Sequence, residues 1–250
     1  GTKLNRRNYQ KELDAVIEQV TKEGRGPSLL LHSCCGPCSS YVLEYLSEYF
    51  EITVFYYNPN ITEDAEYRKR VIEQKRLIGI FNAMGDAYPI EIVEGDYVPE
   101  QFFAMSRGYE KCPEGGERCF RCYEMRLRET ALQAKKAGAD YFTTTLTISP
   151  LKNAAKINEI GQQLSEELEV PFLPSDFKKK NGYKRSVELS KEYDLYRQDY
   201  CGCIFSKAER KTGVTFPSSL SYPAASNACF ISFEIKSKNF SIMIYLSHFL

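Results

Sequence analysis

Seven of the nine cysteines in this 250-residue chain occur in three short groups that lie far apart along the sequence. The groups are Cys34-Cys35-Gly36-Pro37-Cys38, Cys119-Phe120-Arg121-Cys122 and Cys201-Gly202-Cys203. Thiolate sulfur is a soft ligand that suits zinc, iron and iron–sulfur clusters. If folding brings the three groups together, the chain carries a sulfur-rich metal site.

The number and spacing of the thiols bear on which metal is bound. Adjacent cysteines such as Cys34 and Cys35 make an unlikely disulfide, because a vicinal bridge strains the backbone. A structural zinc site needs only four ligands, and Cys119, Cys122, Cys201 and Cys203 would supply them. Seven thiols exceed that need, which favours iron–sulfur chemistry. Single cysteines are also common as small buried residues, and we assign no role to Cys112 or Cys229.

The composition is that of a soluble globular protein, with 43% hydrophobic and 26% charged residues. The formal net charge is zero, so any binding to nucleic acid depends on a local basic surface. No apolar run of about eighteen residues occurs, and we expect no membrane span. The chain shows no secretory signal, so we predict a reducing, cytoplasmic location in which clustered thiols bind metal.

Strand-like and helix-like segments alternate along most of the chain. Short apolar or β-branched runs predict five strands, at residues 28–32, 52–57, 89–93, 141–145 and 172–173, with amphipathic helices between them. This alternation predicts an α/β fold with a parallel sheet and helices on both faces. Residues 1–211 are predicted to form one catalytic domain. Residues 212–250 are nearly uncharged and are predicted to be an appended hairpin or a poorly ordered tail.

The predicted elements give a reason for the cysteines to meet. Ligands of an open parallel sheet bind at the carboxyl ends of its strands. The first cysteine group directly follows the first strand, and Cys119 opens a helix whose amino end lies at the same edge. A helix amino terminus also stabilises a thiolate. We therefore expect the metal site at the carboxyl edge of the sheet.

Several motifs together resemble the QueH-type epoxyqueuosine reductases over about residues 10–210. The matching segments are His32–Cys38; Tyr57–Ile61 with Glu66-Tyr67 and Arg70; Arg118–Cys122; Thr144–Leu146; Ser149-Pro150; Lys152-Asn153; and Leu195–Cys203. The loop at 33–39 occupies the position of the phosphate loop of ATP-dependent tRNA-modifying pyrophosphatases, which suggests a related Rossmann-like (HUP-like) fold. It lacks the paired glycines that wrap a phosphate, so we do not expect ATP hydrolysis.

The resemblance implies an enzyme of the last step of queuosine biosynthesis. Its substrate would be epoxyqueuosine at the wobble position of tRNA, and reductive removal of the epoxide oxygen would give queuosine. The implied cofactors are a [4Fe–4S] cluster and an additional mononuclear iron, without cobalamin, and an electron donor is needed as a partner. All seven clustered cysteines are predicted to bind iron: Cys34, Cys35, Cys38, Cys119, Cys122, Cys201 and Cys203. Iron binds carboxylate as well as thiolate, so a carboxylate residue in place of Cys38 would keep an iron ligand at this position.

Eight residues within these motifs are predicted to contact the substrate: Asn58, Tyr67, Arg70, Thr144, Ser149, Lys152, Tyr196 and Arg197. The cations would hold phosphates and the tyrosines would stack on the modified base. The alternative role is that of a solvated charge for each cation and that of a core aromatic residue for each tyrosine. Lys178, Lys179, Lys180, Lys184 and Arg185 form a basic cluster that either docks tRNA or is an exposed turn.

Two other functions fit parts of the pattern. A zinc-stabilised tRNA-binding module would contain about one zinc per chain and no acid-labile sulfide. An ATP-dependent tRNA thiolase-like enzyme would bind nucleotide at the first cysteine loop. Metal and sulfide analysis separates the first from the reductase, and nucleotide binding separates the second.

Overall fold

Four parallel strands form the sheet at the centre of the protein in a computed structural model, which describes residues 7–212, 233–237 and 240–244. The strands are β1 (Ser28–His32), β2 (Glu51–Tyr56), β3 (Glu91–Glu94) and β4 (Tyr141–Thr144), in the order β3-β2-β1-β4. In register, Leu29 of β1 lies beside Ile52 of β2 and Tyr141 of β4. The predicted α/β class and the parallel sheet are confirmed.

Eight α-helices connect and cover these strands within residues 7–212. They are α1 (Tyr9–Glu23), α2 (Gly36–Leu46), α3 (Asp64–Met84), α4 (Pro99–Ser106), α5 (Glu117–Ala137), α6 (Ala154–Leu168), α7 (Gly182–Glu192) and α8 (Ile204–Thr212), with a 3-10 turn at Thr145–Ile148. Apolar spacing of three and four residues directs one side of each long helix to the core. Among the described residues, no helix combines the length and the apolar character that a membrane crossing requires.

The core has two parts because successive residues of a buried strand face opposite sides of the sheet. Leu29 and Leu31 of β1 pack with α1, α2 and α3 on one face. Leu30 packs on the other face with apolar residues of α5 and α6. Both faces are therefore covered by helices, as the alternation of elements predicted.

The predicted fifth strand at residues 172–173 is wrong as a strand: the sheet of residues 7–212 has four. Phe172 makes only an isolated parallel bridge with Phe142 of β4. The Phe142 amide donates to the Pro171 carbonyl at 2.9 Å, and the Leu173 amide donates to the Phe142 carbonyl at 2.9 Å. Prolines at 171 and 174 flank the two residues, and a residue without an N–H cannot extend the ladder.

The strand order fixes where a ligand can lie. Successive strands β1, β2 and β3 run outward in one direction, and the chain then returns to place β4 on the other side of β1. Such a reversal opens a crevice beyond the carboxyl ends of β1 and β4. The first cysteine group begins at this point, just after the end of β1.

The segment predicted as an appendage is described only in part. β5 (Phe233–Ser237) and β6 (Phe240–Ile244) pair as two antiparallel strands, with Phe233 opposite Ile244. The rest of 213–250, including Cys229, lies outside the described residues. The division into a domain at 1–211 and an appendage stays a prediction.

Candidate metal centre

The first cysteine group caps helix α2. Cys35 is its N-cap with extended backbone, and Pro37 fits the first turn because that turn needs no amide donor at its position. The Cys38 amide donates to Cys35 Sγ at 3.4 Å, so sulfur here replaces the usual capping oxygen. The sulfurs of Cys34, Cys35 and Cys38 all lie within 4.8 Å of one another.

The pKa values of these three thiols depend on one another. Hydrogen bonds from the Cys35 and Cys38 thiols, together with the charge of Lys152, hold the pKa of Cys34 well below its usual value, although burial opposes this. The same contacts with Cys34 raise the pKa of Cys35 to about 11 and raise that of Cys38 as well. A thiolate is therefore favoured on Cys34 even without metal.

The second and third cysteine groups line one cavity. Cys119 and Cys122 lie in the first turns of α5, and Cys201 and Cys203 lie just before α8. Cys201 Sγ and Cys203 Sγ are 3.6 Å apart. Gly202 between them has a φ of +122°, and a Cβ there would lie 2.8 Å from Ile61 Cγ1. Only glycine fits this position, because the chain passes close to Ile61 in a left-handed conformation.

Buried positive charge connects the cavity with the first group. Arg126, one helical turn after Cys122, is buried and donates from Nε to the Cys122 carbonyl at 3.1 Å. Lys152 lines the cavity. Burial lowers the pKa of Lys152, but the thiolate charges of Cys34, Cys38 and Cys201 outweigh burial and raise this pKa above its ordinary value.

Packing contacts also place the first and second cysteine groups next to each other. Cys34 and Cys35 belong to a buried cluster that includes Tyr123 of α5, and Cys119 packs against that cluster. The structure thus brings residues from three distant segments to the carboxyl edge of the sheet.

The donor set fits a metal group that prefers sulfur. A tetrahedral ion with bonds of about 2.3 Å holds neighbouring sulfurs about 3.8 Å apart. The Cys34–Cys35 sulfurs are separated by 3.8 Å and the Cys201–Cys203 sulfurs by 3.6 Å. Amides also donate to sulfur: Gly115 N to Cys119 Sγ at 3.2 Å and Ser206 N to Cys203 Sγ at 3.3 Å. Such bonds orient and stabilise metal-bound thiolates.

Two of the predicted substrate residues hold the first cysteine loop. Asn58 is buried and donates from Nδ2 to the Ser33 carbonyl at 2.8 Å. Thr144, at the end of β4, lies 2.9 Å from His32 Nδ1 through its hydroxyl, which also accepts the Leu146 amide. The other ring nitrogen of His32, Nε2, donates to the Tyr57 carbonyl at 3.0 Å.

Arg70 holds the third cysteine group. Its side chain is buried, and its Nη atoms donate to the carbonyls of Cys201 at 2.9 Å and Tyr200 at 3.3 Å. Its Nε donates to Glu66 at 2.7 Å. Of the predicted cations, Arg70 therefore meets protein carbonyls in this structure.

The remaining predicted substrate residues divide between core and surface. Tyr67 is buried and stacks on Tyr97, with ring centroids 3.7 Å apart. The Tyr196 hydroxyl donates to Glu66 at 3.1 Å. Arg197 is exposed and donates to Ser190 Oγ at 3.0 Å. Ser149 follows the 3-10 turn, and its hydroxyl accepts the Leu151 amide at 3.3 Å.

Sequence reasoning gave no site role to seven residues that line the cavity: Asn60, Phe102, Glu114, Arg118, Tyr123, Arg126 and Leu151. Arg126 had a detectable signal, because it stands four residues after Cys122 on the same helix face. Asn60 has a buried Oδ1 without a hydrogen-bond partner among residues 7–212, which marks a polar contact to be completed by something in the cavity. Phe102 packs against Cys122 and Cys203. No sequence pattern connects α4 with these cysteines.

Comparison with known proteins identifies the family of this chain. A model of the family "Epoxyqueuosine reductase QueH" matches residues 29–209. A protein of that name from Streptococcus pyogenes serotype M1 is 44% identical over 199 residues, covering 80% of this chain and 78% of that protein. One from Staphylococcus epidermidis is 44% identical over 211 residues, covering 84% and 87%. One from Thermotoga maritima is 35% identical over 190 residues, covering 74% and 92%. The family match includes all three cysteine groups, and this chain belongs to the epoxyqueuosine reductase QueH family.

Proposed function

We propose that this protein reduces epoxyqueuosine in tRNA to queuosine, the final step in making that modified nucleoside. The observation that carries the proposal is its similarity, over about four-fifths of its length, to proteins named epoxyqueuosine reductase. The reaction removes the epoxide oxygen with two electrons and two protons, leaving a carbon–carbon double bond and water. An electron donor, either a protein or a small reductant, is therefore a necessary partner.

We propose that the seven clustered cysteines hold a [4Fe–4S] cluster and an additional mononuclear iron. A cubane cluster takes four thiolates, and the three that remain leave a coordination position open on a single iron. When bound, these centres supply a Lewis acid for the epoxide oxygen and the electrons for its removal, with no need for cobalamin. The number of thiols, the amide donors to sulfur and the buried cations support this assignment. The short spacing of Cys34, Cys35 and Cys38 fits the single iron.

The side chains around the cysteines suit chemistry at a developing oxyanion. Arg126 is fully buried and Lys152 lines the same cavity, so both present positive charge where water is scarce. The raised pKa of Lys152 keeps its Nζ protonated at neutral pH. Among the eight predicted substrate residues, Lys152 lines the cavity, and we propose that it contacts the substrate directly. We propose that Asn58, Thr144 and Arg70 act through the loops that they hold.

We also propose a relationship to a known fold and a cellular location. The strand order β3-β2-β1-β4, with Phe172 bridged to β4, supports a Rossmann-like (HUP-like) relationship. A tRNA substrate and thiol-bound iron fit a cytoplasmic enzyme, where thiols remain reduced.

The proposal is tested by metal analysis after oxygen-free purification. We expect about five irons and four acid-labile sulfides per chain, with a broad brown absorbance. Cys119→Ala and Cys201→Ala should lose most of the iron and at least about a hundredfold of the conversion of epoxyqueuosine to queuosine in tRNA. A colourless protein with about one zinc and no sulfide would support the zinc-stabilised module, and nucleotide binding at the first loop would support the thiolase-like enzyme.

Position 38 offers a matched pair of variants for the same experiment. Cys38→Asp keeps an anionic iron ligand, whereas Cys38→Ala removes it. We expect the aspartate variant to retain more iron than the alanine variant. Equal iron content and equal turnover in both variants would exclude Cys38 from the metal site.

A further inference from the structure

A cleft of about 580 Å³ opens beside the cysteine cavity, and no part of the chemistry above uses it. Its volume lies within the range of about 300–1,000 Å³ that ligand sites occupy. Glu114, Leu151 and Lys152 line both the cleft and the cavity. The cleft and the cavity therefore adjoin each other.

The cleft combines positive charge with free amide donors. Its basic side chains are Arg7, Lys152, Lys178 and Lys179, against the acidic Glu114 and Asp176. Helix α6 begins in the cleft at Ala154, and its first turn contains no acidic residue. Asn153 caps the helix by accepting from the Lys156 amide at 3.0 Å, and the other amides of the first turn, together with the helix dipole, favour an anion there.

The structure separates the basic cluster predicted from sequence into two sets. Lys180 pairs with Asp14 at 2.7 Å, and Arg185 pairs with Glu44 at 2.7 Å. Neither lines the cleft, whereas Lys178 and Lys179 do. Lys178 is paired with Asp176 at 2.6 Å. Lys179 is exposed and makes no ion pair with another residue of 7–212.

The cleft also offers surfaces for a base. Tyr9 lines it, and the Arg7 guanidinium lies 5.2 Å from the centre of the Tyr9 ring. Leu151 is 61% exposed where the cleft meets the cavity. Aromatic rings and apolar side chains between cations are the combination that binds single-stranded nucleic acid, because bases stack while phosphates pair with the cations.

We infer that this cleft holds the single-stranded RNA on either side of the modified nucleotide. In this arrangement Lys178, Lys179 and the amino end of α6 contact phosphates, and the target base passes Leu151 to reach the cysteine cavity. The inference rests on the proposed function for its choice of RNA, and on the cleft itself for the position of the strand.

The test measures binding of an unmodified tRNA transcript to the iron-loaded protein at salt concentrations from about 50 to 200 mM, where phosphate contacts dominate affinity. Lys178→Gln/Lys179→Gln should weaken binding about tenfold at the lower salt concentration. The slope of log affinity against log salt should become shallower by about 1.5, because each lost phosphate contact contributes about 0.7–0.9.

The matched control is Lys135→Gln/Lys136→Gln. It removes the same charge from two adjacent lysines at the far end of the 21-residue helix α5, whose first turns carry Cys119 and Cys122. This control should bind like the unaltered protein. Lys179→Gln alone leaves the Lys178–Asp176 pair intact and should give about half of the change in slope.

Unchanged affinity and slope in both cleft variants would overturn the inference, and so would an equal loss in the control. The transcript contains no epoxide, so the measurement does not depend on turnover. Cleft-dependent binding without epoxide reduction would refute the proposed function alone. Reduction with binding that ignores the cleft would refute the inference alone.

Discussion

At the scale of single residues, buried arginines hold the segments that carry the cysteines and balance the charge of their thiolates. Arg118 donates to the carbonyls of Tyr109 and Glu110 at 3.1 and 3.0 Å, to that of Cys112, and to Glu209. Arg126 donates to the Cys122 carbonyl. A buried cation is costly unless it is paired and hydrogen-bonded. Hydrogen bonds to carbonyls and the charge of nearby thiolates meet that requirement here.

His32 gives a prediction at the same scale. Burial lowers its pKa to about 4, whereas an unfolded histidine titrates near about 6.5. The unfolded chain takes up this proton first as the pH falls. The stabilising effect is therefore complete above about 6.5 and is lost down to about 4, at roughly 1.4 kcal/mol of unfolding free energy per pH unit.

Urea unfolding of the metal-free protein in reducing buffer measures this effect. Between about pH 6 and pH 5, the unfolding free energy of His32→Gln should fall less steeply than that of the unaltered protein, by about 1 kcal/mol per pH unit. The comparison uses slopes, so a constant loss of stability in the variant does not affect it. Parallel curves would show that the His32 ring is not held neutral by the fold.

At the scale of elements, each cysteine group is fixed by a different device. The first group uses the N-terminus of α2. The second uses the opening turns of α5. The third lies in an irregular segment, and Arg70 on α3 holds it by two carbonyls. The Thr62 amide also donates to the Gly202 carbonyl at 3.1 Å. The shape of the third group therefore depends on the side chain of Arg70, whereas Asn58 holds the first group through the Ser33 carbonyl.

This dependence predicts the effect of Arg70→Lys. Lysine keeps the charge but lacks the planar fork that reaches both carbonyls, so the segment at 200–203 should lose its fixed geometry. We expect the variant to retain less than about half of the iron, with a melting temperature lower by several degrees. Iron content and thermal melting measure both.

Arg68 supplies the control on the same helix. It is exposed and pairs only with Asp64, so Arg68→Lys should keep its iron and its melting temperature. Full iron in Arg70→Lys, or an equal loss in both variants, would contradict a clamp on the third cysteine group.

At the scale of the whole molecule, the proposed metal site would join parts of the chain that are about eighty residues apart. The first group follows β1, the second opens a helix beyond β3, and the third closes the α/β unit. A group bound to all three acts as a cross-link that exists only in the folded state. Its binding free energy therefore adds to the free energy of folding.

Removal of iron tests this coupling. Anaerobic chelation should lower the melting temperature by at least about 5 °C, which corresponds to roughly 1.5–2 kcal/mol for a domain of this size. Hydrogen exchange should rise at residues 108–122 and 197–212 and change little in β1 and β2. The same treatment of Cys119→Ala, which lacks the iron, is the control. Unchanged exchange at both segments after chelation would show that the metal does not join them.

Periodicity along the chain was enough to predict the α/β class and the parallel sheet. The buried run at 28–32 forms its strand through interactions over a few residues, and its apolar pattern can be recognised in the sequence. The fifth strand failed because pairing at Phe172 depends on a neighbour thirty residues away and on prolines that interrupt the ladder.

What the chain alone determined is the set of soft ligands and the kind of fold that carries them. Only the tertiary structure decided which polar side chains face those ligands. Arg126 and Asn60 line the cavity, Arg70 holds the third group, and Lys179 lies in the cleft while Lys180 is paired elsewhere. The reason is that a side chain's partner across the fold depends on packing between distant elements, which spacing along the sequence does not encode.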